Sequence, residues 1–161
     1  MTDGISILDE LNPYGRRVAT QLFRHFPDWS AFARIDPHPN ADAGALLVEI
    51  SASSPNIRNG LHISTDGDEL TIGLHTHHCH FADYDQHGTD EHIEDGIEYI
   101  KQLIQEDYVI HSWYCNGEFC GSLTSTAGNV GNPGRFVGNV DKITCRSWAG
   151  THDADDVKIT D

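Results

Sequence analysis

Residues 60–74, GLHISTDGDELTIGL, decide how the chain folds. Two runs of alternating apolar and polar residues flank Asp66-Gly67, a dipeptide that tolerates the positive φ a two-residue hairpin turn demands. A loop of Asp66 and Gly67 sets Thr65 opposite Asp68, Ile63 opposite Leu70 and Leu61 opposite Ile72. Apolar then meets apolar on one face, while His62 and Thr71 pair on the other.

Working outward, ALLVEISA (45–52) predicts a strand from Leu46 to Ala52. Upstream, NPYGRRVATQLFRHFPDW (12–29) carries a helix: Asn12 can cap, Pro13 suits the first turn, and Val18, Leu22 and Phe26 recur at helical spacing until Pro27. Downstream, TDEHIEDGIEYIKQLIQED (89–107) predicts a second helix, with Thr89 as its cap and Ile93, Ile97, Ile100 and Ile104 as its apolar stripe. Gly96 falls on that inner side, where close approach to a sheet would require it. A second hairpin, YVIHSWYCNGEFCGSLTS (108–125), turns at Asn116-Gly117. It sets Tyr114 against Phe119, Trp113 against Cys120 and Ile110 against Leu123. TAGNVGNPGRFVGN (126–139) lacks the GK[ST] ending of a phosphate-binding loop and reads as a plain loop; VDKITCRSW (140–148) reads as a last strand. The expected fold is α+β: one domain over residues 1–149, with a largely antiparallel sheet of about six strands and two main helices packed on one side. A flexible acidic tail is expected over 150–161.

The chain has 161 residues and a formal net charge of −15. The charge is concentrated: residues 83–107 hold nine acids against the single base Lys101. Nucleic acid is therefore not an expected partner, since phosphate binding needs a basic footprint. No apolar run reaches membrane-spanning length, and MTDGISILDE does not resemble a signal peptide, so the expectation is a cytoplasmic protein without a membrane partner. In that setting Cys79, Cys115, Cys120 and Cys145 are expected as thiols. Cys115 and Cys120 would be diagonal neighbours about 7–8 Å apart, too far for a disulfide.

LHTHHCHF (74–81) packs four histidines into eight residues. If the strand runs straight on from Leu70, Thr76, His78 and His80 share the face of Leu70, Ile72 and Leu74. His75, His77 and Cys79 then share the face of Thr71, and each face receives a His-x-His pair. Such a pair can begin a zinc site, with Asp83, Asp85, His87, His92 or His111 as candidate third ligands. The alternative is a set of hydrogen-bonded histidines at a strand end, with no cofactor. No GxSxG is present; Cys115 and His111 would share a face, without a third orienting group.

HTHHCH (75–80) is similar to the HxHxDH motif of the metallo-β-lactamase-like hydrolases, with Cys79 standing where that family has aspartate. This resemblance implies a metal-dependent hydrolase with zinc on His75, His77 and His80. A broader pattern joins ISTDGDELTIGLHTHHCHF, EHIEDGIEYIKQLIQED and HSWYCNGEFCGSL, over roughly residues 45–125. It resembles the small immunity proteins of bacterial polymorphic and contact-dependent toxin systems, in which such a hairpin leads to an H-x-H-aromatic element, here His78, His80 and Phe81, then to a helix and a Trp-bearing strand. That resemblance implies a non-enzymatic protein that binds and neutralises one cognate, basic toxin. An acidic surface would then meet a basic partner. Asp83, Tyr84, Asp85, Glu94, Asp95 and Glu98 are the residues that would make that contact, and the hydrolase is the alternative.

Overall fold

The computed structural model describes residues 6–127 and 139–157. The fold is α+β, as expected, but the strands form two antiparallel sheets rather than one. Strands β1 (Ala33–Ile35), β2 (Leu46–Ile50), β3 (Leu61–Asp66), β4 (Glu69–Leu74) and β5 (His77–Ala82) run in that order across the first sheet. In the second, β6 (Tyr108–Cys115) lies between β7 (Glu118–Thr126) and β8 (Lys142–Arg146). The helices are α1 (Ile7–Glu10), α2 (Pro13–His25) and α3 (Glu91–Ile104), with a 3-10 segment at Pro27–Phe32. By its contacts the chain divides into two compact units. One comprises Met1–Ile50, Leu61–Gly73 and His78–Glu98; the other comprises Ser51–Gly60, Leu74–His77 and Tyr99–Asp161.

In the first unit the sequence signals act as expected. Asn12 caps α2, its Oδ1 accepting from the Gly15 N–H at 2.7 Å, and Pro13 occupies the first turn. Val18, Ala19 and Leu22 are buried on its inner face. On β3 and β4, Leu61, Ile63, Leu70 and Ile72 are buried and alternate with more exposed residues, the signature of one covered face, while β2 is buried from Leu46 to Val48. α3 meets that face at Gly96: a Cβ there would lie 2.7 Å from Leu70 Cδ2 and 3.2 Å from Ile72 Cδ1. The residue before α3 is Asp90 rather than Thr89; its carbonyl accepts from the Ile93 N–H at 2.9 Å.

Both hairpins form, each with a correction. The first loop is Gly67-Asp68, not Asp66-Gly67: β3 runs through Asp66, and the positive φ falls on Gly67. That displacement moves the frame by two residues on β4, so every apolar side chain keeps its face. In the second, Asn116 and Gly117 both take positive φ and Tyr114 pairs with Phe119, as expected. A bulge then intervenes, pairing Trp113 with Gly121 and Ile110 with Thr124. The physical reason is the indole: a Cβ opposite Trp113 would sit 2.6 Å from its Nε1, so only glycine fits there. The bulge at Cys120 brings the glycine into that slot. It also draws Cys115 and Cys120 to a Cα separation of 6.1 Å, and they form a disulfide, contrary to the expectation of thiols.

Residues 150–157, expected to fray, are tied to the second unit. Ala154 bridges Cys145, and the Val157 N–H donates to Ile143 O at 2.8 Å. Residues 128–138 of the glycine-rich stretch and 158–161 of the tail lie outside the described residues.

Candidate functional site

The chain leaves β5 at Ala82, and the loop that follows is folded around one carboxylate. Asp83 accepts from the Gly88 N–H at 2.6 Å and the His87 N–H at 3.0 Å, while the Gln86 N–H donates to Asp83 O. These two N–H groups, Gly88 first, hold the Asp83 carboxyl below the usual carboxylate range. Gln86 and Gly88 take positive φ to close the turn.

Between this loop and the first turns of α3 lies a cleft of about 400 Å³, lined by Ala82, Asp83, Tyr84, Asp85, His87, Thr89, Glu91, His92 and Asp95. Four of the six residues expected to contact a partner, Asp83, Tyr84, Asp85 and Asp95, therefore meet at one place. Glu94 and Glu98 are exposed on α3 but do not line the cleft. Tyr84 is 71% exposed, far more than an ordinary aromatic residue.

The acids near this cleft are not equivalent. Asp83 is used by its own loop. Asp90 is answered by α2, through Arg17 at 3.4 Å and the Gln21 amide at 3.0 Å. Asp85, Glu91 and Asp95 take no side-chain partner among the described residues. Like charges held side by side without counter-charge favour any cation that enters.

At the cleft's inner side, His92 stacks parallel to Tyr14 of α2, with ring centroids 5.9 Å apart and a hydrogen bond of 3.0 Å between Nε2 and the phenol oxygen. His92 Nδ1 is buried and has no protein partner. Burial, foremost, pushes the Tyr14 phenol well above its ordinary value, so it stays protonated. Nothing in the sequence pairs residue 14 with residue 92; the only signals were helical faces.

The histidine cluster is rearranged relative to expectation. The strand does not run straight on from Leu70. It ends at Leu74, turns through His75 (φ +59°) and Thr76, and returns as β5. His78 and His80 are consequently exposed rather than facing the core, and His80 lies beside Thr71. His75 Nδ1 accepts from the Arg58 N–H at 3.1 Å. Burial first, then the Arg146 and Arg58 cations, depress its pKa. His77 Nδ1 lies 3.0 Å from Ser122 Oγ, and His80 Nδ1 lies 2.7 Å from Glu69 Oε1. Each of the three expected ligands thus engages its own neighbour. Among the described residues no three histidine, cysteine or acidic side chains are placed to hold one metal ion.

The remaining candidates behave similarly. His87 and His92 line the acidic cleft. His111 is buried, bonded to Ser125 Oγ at 2.6 Å, and its pKa is depressed by that burial. Cys115, the one thiol considered near it, is committed to the disulfide.

No family model, no curated protein and no solved structure matches the chain. No helix among the described residues is long and apolar enough to cross a membrane.

Proposed function

We propose that this chain is a binding protein that neutralises a basic partner, in the manner of the toxin-immunity proteins its sequence resembles. One observation carries the reading: Asp85, Glu91 and Asp95, all without side-chain partners, converge in one cleft beside an exposed Tyr84. Guanidinium or ammonium groups of a partner are the natural occupants, because carboxylates can accept paired N–H donors from arginine. Tyr84 supplies a large, stiff contact at the rim, as aromatic anchors do in protein interfaces. The excess of acid over residues 83–107 would speed encounter with a cationic surface and make that rate fall with salt. Asp83 shapes the loop, and Glu94 and Glu98 extend the negative field along α3.

The test is co-expression with the product of the neighbouring gene. The expected result is rescue of growth by the wild-type chain. A triple variant, Asp85→Asn with Glu91→Gln and Asp95→Asn, should keep its circular dichroism and lose rescue. In calorimetry, the wild-type affinity should fall as salt rises and the variant's should be weaker with a shallower dependence. A wild-type chain that neither binds nor rescues, or a triple variant that rescues fully, would overturn the proposal.

A further inference from the structure

The turn at His75 and Thr76, which breaks up the expected ligand set, leaves one of the two His-x-His pairs turned to solvent. His78 and His80 stand two residues apart on β5, so both side chains leave the same face of the sheet. Both are exposed, and their ring centroids are 4.9 Å apart. Two imidazoles sharing one ion at about 2.0–2.1 Å per nitrogen place their ring centres roughly 4.5–5.1 Å apart, for angles of ~90–109° at the metal. The observed spacing falls within that range. The rings now meet edge to face, and the exposed His78 ring can rotate about χ1 and χ2 towards a shared ion while His80 keeps its bond to Glu69.

His80 is also held in the right form. Its Nδ1 lies 2.7 Å from Glu69 Oε1 and 3.1 Å from Thr71 Oγ1. An ionised carboxylate only accepts, so Nδ1 carries the proton and donates to Glu69. In the neutral ring this leaves the lone pair on Nε2, the atom available to a metal. Carboxylate–histidine–metal triads fix tautomer and raise ligand basicity in the same way.

We propose that His78 and His80, with Glu69 as orienting residue, form a two-histidine site for a divalent first-row transition ion. Cu²⁺ should bind more tightly than Zn²⁺, following the order general to nitrogen ligands. Water fills the remaining coordination positions. The proposal is independent of the acidic cleft and requires no catalytic step.

The experiment uses the untagged chain titrated with CuCl₂ and, separately, ZnSO₄ at pH 7.5. Substoichiometric Cu²⁺ should broaden amide resonances of residues 69–82 first, before those near the other histidines. His78→Ala and His80→Ala should each weaken Cu²⁺ binding by tenfold or more, and Glu69→Gln by roughly tenfold. His25→Ala, a change at a histidine on α2, should leave the affinity unchanged. Broadening centred elsewhere, or a His78→Ala/His80→Ala double variant that binds as the wild type does, would overturn the assignment. The broadening pattern is read on the wild-type chain and so does not depend on whether any variant folds.

Discussion

Tyr14 and His92 are joined by a 3.0 Å hydrogen bond and parallel rings across 78 residues of sequence, fastening α2 to the start of α3 behind the acidic cleft. Tyr14 is only 4% exposed, and His92 Nδ1 is already without a protein partner. Tyr14→Phe keeps the ring and removes the oxygen, leaving both imidazole nitrogens without a protein partner. The expected loss is about 1–3 kcal/mol in urea unfolding, the cost of an unsatisfied buried polar group. Because the ring stays in place, the circular dichroism should be unchanged; an unchanged urea midpoint would show that water replaces the phenol.

Two glycines allow a comparison of close approaches. Alanine at Gly96 gains helix propensity, about 1 kcal/mol, against a Cβ that meets the methyl ends of the buried Leu70 and Ile72, at 2.7 and 3.2 Å, which shift more readily than a ring. Alanine at Gly121 meets three indole atoms of Trp113 within 2.7 Å, and a buried ring cannot turn aside. Gly96→Ala should therefore cost about 1 kcal/mol or less, and Gly121→Ala about 2–3 kcal/mol, as overpacking does. Paired thermal melts read the difference; the reverse order would contradict the stated packing of Trp113.

These glycines also show where the sequence was readable. Gly96 was legible as a close-approach residue because it interrupts a helical stripe whose other members are isoleucine. Gly121 was not, because its role depends on a bulge, and nothing in YCNGEFCGSL distinguishes Cys120 from Gly121 as the partner of Trp113. The same bulge hid the disulfide. The histidine run misleads for a related reason: HTHHCH alternates without glycine or proline, so it looks continuous, while His75 takes a left-handed conformation that histidine adopts only occasionally. The cleft was half legible. Local charge density pointed to Asp83, Tyr84, Asp85 and Asp95, but which acids are already answered depends on Arg17 and Gln21, some seventy residues upstream.

The disulfide yields a direct count. Iodoacetamide applied to the unfolded, unreduced chain should label two cysteines, Cys79 and Cys145, out of four. Reduction should lower stability by about 2 kcal/mol, since the bridge closes a short loop and constrains the unfolded chain little. In a reducing cytosol the same pair exists as thiols. Labelling of all four without reductant would remove the bridge.

Stability should fall with acid in two stages. His75 and His111 have folded-state pKa values below their ordinary 6.5, so at mildly acidic pH the unfolded chain binds more protons. Their contribution is complete above about 6.5 and is lost as the pH falls through the depressed folded values. Glu106 enters later. Burial would raise its pKa, but the Ser147 and Thr151 side chains and the N–H groups of Ala149 and Thr151 together bring it down from 4.5 to about 2. Asp153 is lowered too: burial opposes the shift, and Ser54, Asn56, the Ser147 N–H and Arg146 outweigh it. These carboxylates stabilise the fold above about 4.5, and their contribution disappears as pH drops towards 2. Urea midpoints measured from pH 8 to pH 3 should therefore decline first below 6.5 and again below 4.5. Glu106→Gln should flatten the second decline and leave the first intact. A midpoint constant between pH 7.5 and 5 would show that neither His75 nor His111 is held neutral by the fold.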